Sequence, residues 1–195
     1  ENIMNSTRST DFITPKSNTS KTFRNAVLEL AAKYPFARAL VNSGRLSVPS
    51  WLARSSLNTP DSEAFDGDMI PGAPMADAPV LGDSGDGWLL RQLGNRFQAL
   101  HYVEDASALD AQAARTLGEL GYGGIGVEPI VIAQRGQAPA GLKTLLDSKG
   151  RLSQRYDLKP GTTYLARPDQ HVAARWRALD AAKVKAAVAR ATGNA

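Results

Sequence analysis

The sequence predicts an α/β fold, a mixed sheet with helices on both faces, and three stretches carry that expectation. Residues 128–134, EPIVIAQ, are a short apolar run with a β-branched centre, the pattern of a strand buried on both faces. Ahead of it, Leu109, Ala113, Leu117 and Leu120 recur at helical spacing. Residues 162–179, TTYLARPDQHVAARWRAL, alternate on either side of Arg167-Pro168-Asp169-Gln170. Pro168 presets φ for the second position of a turn and Asp169 suits the third, so this stretch reads as a hairpin. With a loop at 168–170, Thr162, Tyr164 and Ala166 would share a face with Val172, Ala174 and Trp176.

In chain order, residues 1–20 are polar and read as a loop. Residues 22–34 form a helix with Phe23, Ala26, Val27, Leu30 and Tyr34 on one face, and Ser20 is its expected N-cap. Pro35 ends it, because proline lacks an N–H and clashes with the preceding turn. A shorter helix, 36–41, should stop at Asn42-Ser43-Gly44, where Gly44 can take a left-handed cap. Residues 53–87 carry Pro60, Pro71, Pro74 and Pro79 with several acidic residues, and read as an irregular connector between folding units.

From residue 88 the elements alternate. A short apolar helical turn (88–93) precedes a strand (96–103), a helix (107–120) and the strand 128–134. A helix around Leu142, Leu145 and Leu146 follows, then the hairpin, then a helix capped by Asp180 with Val184, Ala187, Val188 and Ala191 inward. The order β-α-β-α-β-β-α, a parallel pair beside an antiparallel hairpin, is the thioredoxin-like arrangement. The expected organisation is a helical remnant (1–52), the connector (53–87) and a thioredoxin-like domain (88–195).

Composition narrows the chemistry. The chain has 195 residues, 43% hydrophobic and 22% charged, with a net charge of +4 and no cysteine. That excludes disulfides, thiolate catalysis and cysteine-ligated zinc, and fits a cytoplasmic location. No apolar run approaches the roughly 20 residues of a membrane span. ENIMNSTRSTDF has no basic segment followed by an apolar core, so no secretory signal is read there, and without an initiating Met the chain reads as part of a longer one. Its positive residues are dispersed, which argues against a nucleic-acid partner.

The motifs that suggest a site weigh little. Gly121-Tyr122-Gly123-Gly124-Ile125-Gly126 matches a dinucleotide fingerprint in letters, but a helix precedes it and a strand follows, the reverse of the order a pyrophosphate site needs. Asp83-Ser84-Gly85-Asp86-Gly87 lacks the third-position ligand and closing Glu of a calcium loop. His101 falls in a strand and reads as a core residue. His171 cannot form a triad through Asp169 within one tight loop, and Asp169 is expected to accept turn N–H bonds. Arg167, Arg175 and Arg177 read as ordinary surface charge in preference to an anion patch. Trp51, Trp88 and Trp176 are expected to bury area. A redox-active thioredoxin-like domain carries thiols where its first strand meets its first helix; here that position is Val103-Glu104-Asp105-Ala106-Ser107. No catalytic, cofactor-binding or metal residue is assigned; Arg167, Pro168, Asp169, Gln170 and His171 are the structural hairpin.

One resemblance adds to this. TYLARPDQHVAARWR (163–177), FRNAVLELA (23–31), ALVNSGRLS (39–47) and PGAPMADAPV (71–80) resemble, in order, the C-terminal portion of class A FAD-dependent aromatic hydroxylases. The likeness is nearest to the 3-(3-hydroxyphenyl)propionate hydroxylase and phenol hydroxylase-like type. It implies an enzyme that hydroxylates a phenolic ring using FAD, NAD(P)H and oxygen, with residues 1–52 as the helical remnant of its flavin and substrate part and a thiol-free thioredoxin-like domain at its C-terminus. This segment would then be non-catalytic and bind no cofactor itself. Its role would be packing or subunit contact, and its partners the remainder of its own flavin domain or a further copy in a homo-oligomer. The alternative from the residues alone is a stand-alone thiol-free interaction module. The family often has Gly where Gln170 stands; if Gln170 takes φ > 0, it is strained by roughly 1 kcal/mol.

Overall fold

The structure is a computed structural model, and it describes residues 2–41 and 49–194. Its contacts divide the chain into two compact units, Glu1–Ser50 and Trp51–Ala195.

The first unit is helical. α1 (Asn2–Ile13) occupies much of the stretch expected to be a loop. α2 (Asn18–Lys33) begins one turn before the expected start, because Ser17 and not Ser20 is the cap: its side chain accepts the Ser20 N–H. Pro35 is the first residue of α3 (Pro35–Val41), where its missing N–H costs nothing. The expected stop at Asn42-Ser43-Gly44 lies outside the described residues.

The second unit is built on a mixed sheet in the order β2-β1-β6-β5-β3-β7-β8, with a short β4 paired to β5. The strands are β1 (Pro79–Gly82), β2 (Gly85–Trp88), β3 (Phe97–Asp105), β4 (Gly121–Tyr122), β5 (Ile125–Arg135), β6 (Lys143–Leu146), β7 (Thr163–Ala166) and β8 (Val172–Trp176). β3 and β5 run parallel and β7 lies antiparallel on the other side of β3. The helices are α4 (Leu89–Gln92), α5 (Ala111–Gly118), α6 (Arg151–Tyr156) and α7 (Ala181–Ala191). Asp110 and Asp180 cap α5 and α7 through their carboxylates. Alternation along the strands sorts the core. Leu100, Tyr102, Ile130, Ile132 and Tyr164 face one side, under Met69, Met75, α4 and α6. Phe97, Ala99, Val131 and Leu165 face the other, against α5 and α7.

Three expectations differ. The segment 53–87 belongs to the sheet unit: it contributes β1 and β2, and Met69, Ala73, Met75 and Val80 are core residues. Residues 143–146 are a strand parallel to β5, with the helix starting only at Arg151; the spacing of Leu142, Leu145 and Leu146 is helical, but in this strand, covered on both faces, Leu145 packs on one side and Leu146, with Leu142 just before the strand, on the other. In the hairpin, a bulge between Leu165 and Ala166 shifts the register, so Thr163 faces Trp176 and Tyr164 faces Arg175. Val172 stays with Tyr164 and Ala166, whereas Ala174 and Trp176 turn to the opposite face with Leu165.

Candidate functional site

The hairpin closes through a three-residue loop. Arg167 N–H donates to the His171 carbonyl at 2.8 Å, and Gln170 N–H to the Arg167 carbonyl at 3.0 Å. Gln170 sits at φ 59°, the left-handed position that follows a type I turn in such loops. Its amide donates to the Leu90 carbonyl at 2.9 Å, and its carbonyl accepts from Met75 N–H at 2.9 Å. The Asp169 carboxylate meets Arg167 at 2.6 Å and lies 3.4 Å from His171 Nδ1, so it braces the loop through side chains and not through turn N–H groups. Pro168 borders an open cleft of about 670 Å³ with Arg96, Phe97, Leu120, Val127 and Glu128.

Below the loop the two other hairpin arginines turn inward. Arg175 is buried and holds Asp61 through bonds of 2.7 to 3.2 Å, with a further 3.4 Å contact to the Tyr164 hydroxyl. Arg177 donates to the Ala64 and Asp157 carbonyls and to the Asp157 carboxylate. Both guanidinium groups lie against Phe65, at 4.4 and 3.7 Å from its centroid. Burial pushes the Asp157 carboxyl up, but the Asp66 N–H and Arg177 outweigh it and hold the group below its ordinary range. Arg175 and Arg177 are therefore a clamp on residues 61–66, in place of the surface charge expected of them. A basic residue in a buried strand next to aromatics, with carboxylates far upstream, was the signal for this. Trp176 is buried, whereas Trp51 and Trp88 are half exposed, at 50% and 46%.

The end of β3 holds an ion pair where a redox domain would carry thiols. Asp105 accepts the Ser107 N–H at 2.9 Å and binds Arg135 Nε at 2.9 Å. His101 is buried in β3, 2.9 Å from the Thr163 hydroxyl on β7, and desolvation lowers its pKa to about 4. It is a neutral core residue. Among the described residues no group of His, Asp or Glu converges as a metal site.

The glycine-rich stretch does not fit a dinucleotide. Gly121 pairs with Gly126 and Tyr122 with Ile125, so β4 and β5 form a tight hairpin with Gly123 and Gly124 at φ 56° and 83°. α5 ends beside it, and a helix C-terminus repels a pyrophosphate. No helix among the described residues is long and apolar enough to cross a membrane.

These features define a thioredoxin-like domain whose thiol position is an ion pair and whose sheet is locked by an upstream segment. The chain belongs to the HcaD C-terminal domain family, whose model matches residues 84–191. Among solved structures, the flavin-dependent monooxygenase PieE, in complex with FAD and substrate, superposes with a TM-score of 0.60 at 22% identity, covering 95% of this chain and 32% of PieE. The rebeccamycin biosynthetic enzyme RebC superposes at 0.52 with 20% identity, covering 93% of this chain and 29% of that one. The chain thus spans about a third of the length of these enzymes. No curated protein matches the sequence significantly.

Proposed function

We propose that this chain is the C-terminal portion of a cytoplasmic FAD-dependent monooxygenase that hydroxylates a phenolic substrate with NAD(P)H and oxygen. Within it, this chain as a whole serves packing or subunit contact and takes no part in the chemistry. The carrying observation is the family match over 84–191, and the extent of the PieE and RebC superpositions supports it. The site geometry agrees with a structural role: the residues with the most distinctive chemistry, Arg175, Arg177 and Asp157, are consumed by internal bonds. FAD and the nicotinamide belong to the rest of such an enzyme, and no step is assigned to residues of this chain.

The test is a titration of the 195-residue chain with FAD, followed by flavin fluorescence, beside the polypeptide encoded by its complete reading frame. The shorter chain should leave the fluorescence unchanged. The longer one should bind FAD and add one oxygen atom to a phenol at the expense of NAD(P)H. Tight stoichiometric binding by the shorter chain would overturn the division of labour. A reading frame with no flavin-binding part would instead favour a stand-alone interaction module.

A further inference from the structure

We infer that the Phe23–Tyr34 face of α2, with Phe36 at the start of α3, is the seat of the flavin-binding part of the same polypeptide. The inference rests on the functional reading above and adds the surface through which the two parts meet.

The sequence places Phe23, Val27, Leu30 and Tyr34 on one stripe, the spacing of a helix with a covered face. Only Val27 of the four is buried. Phe23 is 65% exposed, Leu30 43%, Tyr34 50% and Phe36 67%. Tyr34 and Phe36 stack at 5.9 Å, so the apolar surface continues from α2 into α3. Among the described side chains of this unit, only Val27 and Ala37 are buried. A 50-residue helical unit with so small a core among its described side chains is marginal on its own and gains stability from a partner. An exposed aromatic cluster of this kind marks an interaction surface.

The extent of the structural likeness indicates the occupant. About two-thirds of PieE lies outside the region this chain superposes on, while 95% of this chain, the helical unit included, is within it. A covalently attached part meets the face at high effective concentration, so the face need not be shielded by a separate partner.

Residues 1–195 hold no cysteine, so each introduced thiol is unique in the shorter chain, and in the complete polypeptide the rate is read on the peptide that carries it. Phe23→Cys and Leu30→Cys are made separately in the 195-residue chain and in the complete polypeptide, with Lys185→Cys at an exposed position of α7 as reference, and maleimide labelling rates are measured. Both face positions should label as fast as Lys185→Cys in the shorter chain. In the complete polypeptide they should label roughly tenfold or more slowly. Equal rates in a complete polypeptide that binds FAD would overturn this inference and leave the functional reading intact. A complete polypeptide that binds no flavin would overturn the functional reading itself. Slow, concentration-dependent labelling of the shorter chain would point to a second copy, and slow, concentration-independent labelling to coverage by residues 51–195; either result overturns the inference. Leu30→Cys removes less apolar volume than Phe23→Cys, so agreement between them separates protection from loss of fold.

Discussion

Arg175 on β8 grips Asp61, 114 residues earlier in the chain, with Nη2 2.7 Å from the carboxylate. The Arg175 side chain is 3% exposed and that of Asp61 27%. The pair is thus asymmetric, and the asymmetry sets which substitution hurts more. Asp61→Ala leaves a buried guanidinium with one charged partner fewer and should cost about 3 kcal/mol. Arg175→Met removes the charge, fills similar volume beside Phe65 and leaves Asp61 access to water, so it should cost less. Urea unfolding of the two variants checks this; equal costs would show that packing on Phe65, and not the charge, holds residues 61–66.

Gln170 stands at a position where glycine is unstrained. Gln170→Ala keeps the left-handed strain and loses the bond to the Leu90 carbonyl, so it should destabilise by about 1 kcal/mol. Gln170→Gly loses the same bond but relieves the strain, and should lie within about 0.5 kcal/mol of the parent protein. Midpoints of denaturant unfolding distinguish the two; identical losses would remove strain from the account.

His101 gives stability a pH dependence with a definite sign. Its pKa falls from 6.5 to about 4 on folding because burial disfavours the imidazolium. The unfolded chain therefore binds the proton more tightly. The contribution is complete above pH 6.5, is lost as pH falls toward 4, and amounts to ~3 kcal/mol over that span. His101→Gln should flatten the unfolding free energy between pH 6.5 and 4 relative to the parent. A parent profile already flat across this window would contradict the assignment.

Gly72 joins three segments: its N–H donates to the Val172 carbonyl at 2.7 Å and its carbonyl accepts from Leu52 N–H at 2.8 Å. Its φ is 88°, and a Cβ there would lie 2.5 Å from the Leu52 carbonyl carbon and oxygen. Gly72→Ala combines an unfavourable conformation with a backbone clash and should cost at least ~2 kcal/mol. Gly85→Ala, at φ 92° with open space around it, carries only the conformational part and should cost less. Thermal unfolding of both variants isolates the clash.

Much of the sheet unit could be read from local pattern. The β-branched run in β5, the stripe of α5, the Asp180 cap and the Pro168-Asp169 turn each specify their element within a few residues, because period and capping are local chemistry. The place of the hairpin loop was legible for the same reason, whereas the φ > 0 at Gln170, raised only as a condition by the family resemblance, is set by the structure. What could not be read depended on distant partners. Residues 143–146 become a strand because β5 offers an edge for them, although the spacing of Leu142, Leu145 and Leu146 alone is that of a helix. The bulge that turns Trp176 to the opposite face from Tyr164 is a matter of ladder register, invisible in alternation. Arg175 and Arg177 looked like surface charge because the carboxylates and Phe65 that desolvate them lie more than 100 residues upstream in one case and across a chain reversal in the other. The sequence by itself determined the element types, the turn chemistry and the absence of thiols, all properties of neighbouring residues. Only the tertiary structure decided which charges are buried, which strand completes the sheet and that residues 53–87 belong to it, since each depends on free energy gained between segments that no local pattern records.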